Sequence, residues 1–249
     1  MKKIITKILK KAAYKLEKVN QNNYFPDMEK KFLELAEKCK PYTMTSVERL
    51  YSVYKSVEYI IKNNISGDFI ECGVWKGGSS MMMALSLLEN NITNKKIYLY
   101  DTFEGMTEPT EKDIDLSKKN AKIKYENKKN PKSGSDWCRS EMDEVKENLY
   151  STAYPKENII FVKGKVEETI PKTIPGKIAL LRLDTDWYES TKHELQHLYP
   201  LLSKNGVLII DDYGHWLGCR KAADEYFLAQ NINPLLNRID YTGRIMIKI

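Results

Sequence analysis

From Asp68 onward, short unbroken apolar runs alternate with stretches in which apolar residues recur every three or four positions. The runs are Asp68–Gly73, Ile97–Tyr100, Ile159–Val162, Ile178–Leu183, Val207–Ile210 and Ile245–Ile249, with helical patterns at about 77–90, 189–203 and 218–230. Runs of Ile, Val and Leu without polar alternation predict strands covered on both faces, and the amphipathic stretches supply the covering helices. The predicted class is α/β: a doubly wound, mostly parallel, Rossmann-like sheet with helices on both faces.

Ahead of the sheet, Ile4, Ile5, Ile8, Leu9, Ala12, Leu16 and Val19 form one helical stripe with lysines over the remaining positions. This predicts a helix docked on its own domain or on a second subunit, in preference to a basic helix lying on a membrane surface. Contact with such a surface stays open, and the apolar stripe makes a homo-oligomer reasonable. Further helical patterns cover 27–39 and 46–63, so residues 1–45 read as a helical extension and 46–249 as the main domain. The interval 102–157 is too long for a plain strand–helix–strand crossover. Its middle, Lys112 to Gly134, is rich in Lys and Asn and poor in apolar residues. It reads equally as a solvated surface loop or as a lid drawn from about 105–150, with Ser135-Asp136-Trp137 as its anchor.

Composition narrows the picture. In 249 residues there are 40 Lys+Arg against 34 Asp+Glu, a net charge of +6, which permits an anionic partner without demanding one. No apolar run is long and uncharged enough to span a membrane, and Lys7, Lys10 and Lys11 interrupt any secretory core. Four scattered cysteines, Cys39, Cys72, Cys138 and Cys219, form no C-x-x-C pair, so a reducing cytoplasm is the expected compartment and a zinc site is not expected.

The chemistry sits where the predicted strands end. The first strand runs into Glu71-Cys72-Gly73-Val74-Trp75-Lys76-Gly77-Gly78, the second into Asp101, the fourth into Asp184-Thr185-Asp186 and the fifth into Asp211-Asp212. Ligands of open α/β sheets bind beyond those carboxyl ends, so these carboxylates converge on one edge. Gly73, Gly77 and Gly78 suit a tight ligand-binding turn, but an acid at Glu71 suits an amine or sulfonium better than a pyrophosphate. Asp101 is placed for ribose hydroxyls. Asp184, Asp211 and Asp212 would repel one another without a cation among them, and an all-oxygen set suits Mg²⁺ or Mn²⁺. The competing reading makes Asp184 or Asp186 the cap of the helix that follows, and Asp212 the cap of the next. Asp186 is placed to take a proton from a hydroxyl, with His215 as runner-up. His193 and His197 lie one turn apart with no third ligand and read as packed or surface residues.

The segments Asp68-Phe69-Ile70-Glu71-Cys72-Gly73-Val74-Trp75-Lys76-Gly77-Gly78, Tyr100-Asp101-Thr102-Phe103-Glu104-Gly105-Met106, Leu183-Asp184-Thr185-Asp186-Trp187-Tyr188 and Ile209-Ile210-Asp211-Asp212-Tyr213 together resemble the macrocin O-methyltransferase family. The resemblance runs from about Tyr42 to the C-terminus. It implies a methyltransferase domain using S-adenosylmethionine and Mg²⁺ to methylate hydroxyls of sugars or glycosylated metabolites. It implies metal ligands at Asp184, Asp211 and Asp212 and a general base at Asp186. Cofactor contacts are implied at Thr43, Met44, Glu71, Cys72, Gly73, Val74, Trp75, Asp101, Thr102, Phe103, Glu104, Gly105, Lys165 and Val166, with Glu71 near the methionine amine. The partner is then a small-molecule or glycan hydroxyl, and no nucleic acid is expected. The rival expectations are a phenolic or catechol acceptor and, less favoured, a basic nucleic-acid or membrane-surface binder.

Overall fold

A computed structural model describes residues 25–131 and 134–249. The apolar stripe of residues 4–19 lies outside the described residues. The chain divides into two compact units, 1–34 and 35–249. In the first, a turn closed by Met28 N–H donating to Phe25 O leads into helix α1 (Lys30–Cys39), within which the boundary falls.

In the second unit, α2 (Val47–Lys62) starts at Ser46, whose hydroxyl accepts from Arg49 N–H at 3.2 Å, an N-cap of the usual kind. Then β1 (Asp68–Cys72), α3 (Gly78–Glu89) and β2 (Ile97–Asp101) follow. The long interval contains α4 (Ala121–Glu126), a two-stranded ribbon β3 (Lys129–Asn130) and β4 (Gly134–Ser135), and α5 (Met142–Tyr150). The pattern resumes with β5 (Ile159–Lys163), the short α6 (Val166–Thr169), β6 (Ile178–Leu183), α7 (Tyr188–Leu198), β7 (Leu202–Ile210) and α8 (Leu217–Ala229). A closing hairpin, β8 (Asn237–Arg238) and β9 (Arg244–Ile247), completes the chain.

The main sheet has seven strands in the order β5-β2-β1-β6-β7-β9-β8. The first five are parallel, whereas β9 runs antiparallel to β7 and β8 antiparallel to β9. This is the doubly wound, mostly parallel arrangement predicted from the apolar runs. Every residue of β6 is buried, and α3 is buried from Gly78 through Leu87, as befits central elements covered on all sides. The chain reverses direction across the sheet between β1 and β6, and that switch point opens a crevice at the strands' carboxyl ends.

The basic interval is tied down more firmly than a solvated loop. Asp113 is fully buried: its Oδ1 accepts from Tyr188 N–H at 2.8 Å, while its Oδ2 accepts from Thr110 N–H at 2.7 Å and from the Thr110 hydroxyl at 2.9 Å. It therefore caps α7 from a distant part of the chain. Ala121, Tyr125 and Trp137 are also buried, the last in an edge-on cluster with Trp187 and Trp216 at ring separations of 5.6 and 6.2 Å.

Candidate active site

A cavity of about 380 Å³ opens at the switch point, between the turns after β1, β6 and β7 and the Tyr42–Thr45 segment. A smaller one of about 60 Å³ adjoins it, beside Thr102, Gly164, Lys165 and Val166. Close backbone approach shapes the wall between them. At Gly73, φ is +82°, and a Cβ would stand 2.0 Å from the carbonyl oxygen of Asp184. At Gly78 a Cβ would stand 2.6 Å from Thr43 Cβ, so the first turn of α3 and the Thr43 segment meet only because a side chain is missing.

At the back of the cavity lies a charge network that the apolar reading of Ile178–Leu183 passed over. Arg182, the next-to-last residue of β6, is 1% exposed. A buried guanidinium costs several kcal/mol unless well partnered. It donates to Glu71 at 2.5 Å, to Asp184 at 2.7 Å and to Asp211 at 2.5 Å. Glu71 and Arg182 face each other across the β1–β6 register, and the Ser80 hydroxyl donates to the other Glu71 oxygen. Arg49, from α2, donates to the second oxygen of Asp211 and lies 3.0 Å from Asp240, which also accepts from the Ser46 hydroxyl at 2.8 Å.

Asp184, Asp186 and Asp212 present oxygens within 4.8 Å of one another. Burial pushes the pKa of each upward, well above the ordinary value for Asp184 and Asp212 and to about 7 for Asp186. Asp212 Oδ2 is buried with no hydrogen-bond partner. Such crowding with an orphaned oxygen fits a divalent cation of the oxygen-preferring kind. Capping does not account for it, because Asp113 caps α7 and α8 starts after Trp216 with no side-chain cap. Asp211 stands apart from this trio, engaged by two guanidiniums, although each of its oxygens retains a lone pair.

The other predicted positions are distributed as follows. Thr43, Met44, Glu71, Gly73, Val74, Trp75, Asp101 and Gly105 line the larger cavity, and Thr102, Lys165 and Val166 the smaller. The side chains of Cys72 and Phe103 are buried and line neither, and Glu104 is exposed and paired with Lys163 at 2.8 Å. Asp101 is heavily used by the protein itself. One oxygen accepts from Val74 N–H at 2.7 Å and Trp75 N–H at 3.1 Å, the other from Phe103 N–H at 2.7 Å and, more weakly, the Thr102 hydroxyl at 3.4 Å. It thereby holds the glycine turn in shape, and burial raises its pKa against those bonds. His215 lines the cavity, whereas His193 hydrogen-bonds with Ile170 O at 2.8 Å and His197 with His193 O at 2.9 Å.

A parallel sheet that reverses beside a glycine turn, with carboxylates gathered at its switch point, defines a doubly wound α/β enzyme of the small-molecule-binding class. More particularly, the chain belongs to the macrocin O-methyltransferase (TylF) family, whose sequence profile matches residues 2–248. It is 30% identical over 249 residues to the 8-demethyl-8-(2,3-dimethoxy-alpha-L-rhamnosyl)-tetracenomycin-C 4'-O-methyltransferase of Streptomyces olivaceus, spanning 98% of this chain and 88% of that protein. It is 32% identical over 202 residues to the demethyldecarbamoylnovobiocin O-methyltransferase of Streptomyces niveus, spanning 81% and 74% of the two chains. The solved structure of the O-methyltransferase NovP superimposes with a TM-score of 0.73 at 29% identity, over 83% of this chain and 82% of that one.

Proposed function

We propose that this O-methyltransferase moves a methyl group from S-adenosylmethionine to a hydroxyl of a sugar or glycosylated metabolite, assisted by Mg²⁺ or Mn²⁺. The observation that carries the reading is the trio Asp184, Asp186 and Asp212 in one cavity, with an unpartnered Asp212 oxygen, beside the turn at Gly73. The sugar acceptor rests on the family and on the glycoside named for the Streptomyces olivaceus relative.

Asp184, Asp211 and Asp212 would hold the cation, Asp211 through the lone pairs that Arg182 and Arg49 leave free. The cation would supply positive charge that makes a nearby hydroxyl more acidic. Asp186 accepts the hydroxyl proton; a carboxylate held near 7 by burial is matched to that task at neutral pH. The Gly73 turn and the Lys165–Val166 cavity would hold the methyl donor, which would supply the methyl group as a sulfonium that becomes a neutral thioether on transfer. Arg182 keeps Glu71, Asp184 and Asp211 in fixed relation, so alignment of the reactants is built in before they arrive, an effect worth roughly 7–11 kcal/mol at its best. The Trp137, Trp187 and Trp216 cluster makes one side of the site apolar and limits water there. Its four cysteines are free, in keeping with a reducing cytoplasm.

The test is incubation with S-adenosylmethionine and a panel of glycosides, nucleotide sugars and catechols, with and without EDTA, read by mass spectrometry. Methylation of a glycoside that EDTA abolishes is the expected result. Methylation of catechols alone would overturn the acceptor assignment, and chelator-resistant turnover would overturn the cation.

A further inference from the structure

Glu194 belongs to no part of the mechanism above, and it is fully buried in the second turn of α7. Burial lifts its pKa well above the ordinary carboxylate value. Its Oε2 accepts from the Thr185 hydroxyl at 3.1 Å, and Oε1 has no hydrogen-bond partner. The Cys72 thiol lies against the same carboxyl. One side chain thus touches the residue between Asp184 and Asp186 and the residue before Gly73.

Those two turns are already in backbone contact, through Asp184 N–H donating to Cys72 O at 2.8 Å and through the missing side chain of Gly73. The turn after β6 is also strained: Asp186 has φ of +67°, a left-handed conformation that favours glycine. Trp187 N–H closes it tightly onto Thr185 O at 2.7 Å. A strained turn persists only where its surroundings over-determine it. Thr185 is the first residue of this one and supplies the carbonyl that closes it, and its side-chain partner is Glu194.

We propose that Glu194, through Thr185, is a positioning residue that holds Asp186 and Asp184 in their strained arrangement against the Gly73 turn. It touches no reactant. The proposal rests on the reading of Asp184 and Asp212 as cation ligands only for one of its two readouts.

The experiment compares Thr185→Val, Thr185→Ser, Glu194→Leu and the Thr185→Val/Glu194→Leu double variant in the full chain. Hydrogen exchange read by mass spectrometry over 184–188 reports the turn, and calorimetric titration with Mn²⁺ alone reports the ligands. Thr185→Val and Glu194→Leu should each speed exchange in that segment and weaken Mn²⁺ binding by about 10-fold, at the lower end of what removing a partner of a metal ligand does. The double variant should be no worse than either single, because both remove one interaction, and Thr185→Ser should restore both readouts. Should Glu194→Leu fail to fold, the Val and Ser pair at 185 decides alone. Wild-type exchange in Thr185→Val, or losses that multiply in the double variant, would overturn the proposal. If the wild-type chain binds no Mn²⁺, the cation reading fails while exchange still decides the role of Glu194.

Discussion

Replacing Asp186 by Asn should stabilise the cation-free protein at neutral and alkaline pH, progressively less toward pH 5, and leave it nearly unchanged only below the unfolded value of 3.8. Burial raises this carboxyl from 3.8 to about 7, so the folded chain keeps a proton that the unfolded chain has released. A raised acid contributes stability at low pH and loses it as pH climbs toward the folded value. Each tenfold step is 1.36 kcal/mol, so ionising Asp186 between pH 5 and 8 costs up to about 3 kcal/mol. The side chain opens onto the cavity, where water screens part of that cost, which sets the working range at about 1–3 kcal/mol. For a domain of this size that is roughly 2–12 °C in Tm. Asn has the shape of the protonated acid and no charge to ionise, so its Tm curve should fall less steeply over the same interval. Differential scanning fluorimetry in EDTA from pH 5 to 8 makes the comparison, and added Mg²⁺ should lift wild type at pH 8 more than the variant. Parallel Tm–pH curves for the two proteins would refute the claim that the Asp186 carboxyl is raised by its surroundings.

Three more outcomes follow from the same geometry. Arg182→Met should lower stability by about 3–5 kcal/mol in urea unfolding at pH 7.5, because Glu71 and Asp211 lose a buried counter-charge; a loss under 1 kcal/mol would mean the three carboxyls are satisfied without it. Gly73→Ala should fold with reduced stability and lose affinity for S-adenosylhomocysteine in calorimetry, since the new methyl meets the Asp184 carbonyl at 2.0 Å. Asp113→Ala should cost about 1–2 kcal/mol, the scale of a lost cap, and should increase hydrogen exchange at the start of α7 and over 110–121 together.

Much of this architecture was legible before any coordinates. The five parallel strands announce themselves because central parallel strands are apolar on both faces, as Ile178–Leu183 and Val207–Ile210 are, and their ends expose Asp101, Asp184 and Asp211. The partners of those acids were harder to see. Arg182 sits inside an apolar run, and its meaning depends on β6 lying beside β1, where Glu71 faces it. A lone arginine in a strand otherwise free of charge was the available signal. Arg49 and Asp240 carry no such mark, because Arg49 reaches Asp211 from a helix face and Asp240 reaches Arg49 from a terminal hairpin, positions that sequence spacing does not bring together. The order within Lys112–Gly134 was hidden by composition: a few buried residues, Asp113, Ala121 and Tyr125, fix a segment whose average looks like a loop. Asp101 shows the opposite difficulty, since its position at a strand end does not reveal that three backbone N–H groups already claim it.

The contact between Gly73 and the Asp184 carbonyl has a practical bearing on anyone wishing to retarget this catalyst. On the proposed function, the donor side and the acceptor side would share this close backbone contact, so substitutions that touch it should mostly abolish activity. Diversity is better placed at the outer rim, where Tyr241 is more than half exposed and away from that contact.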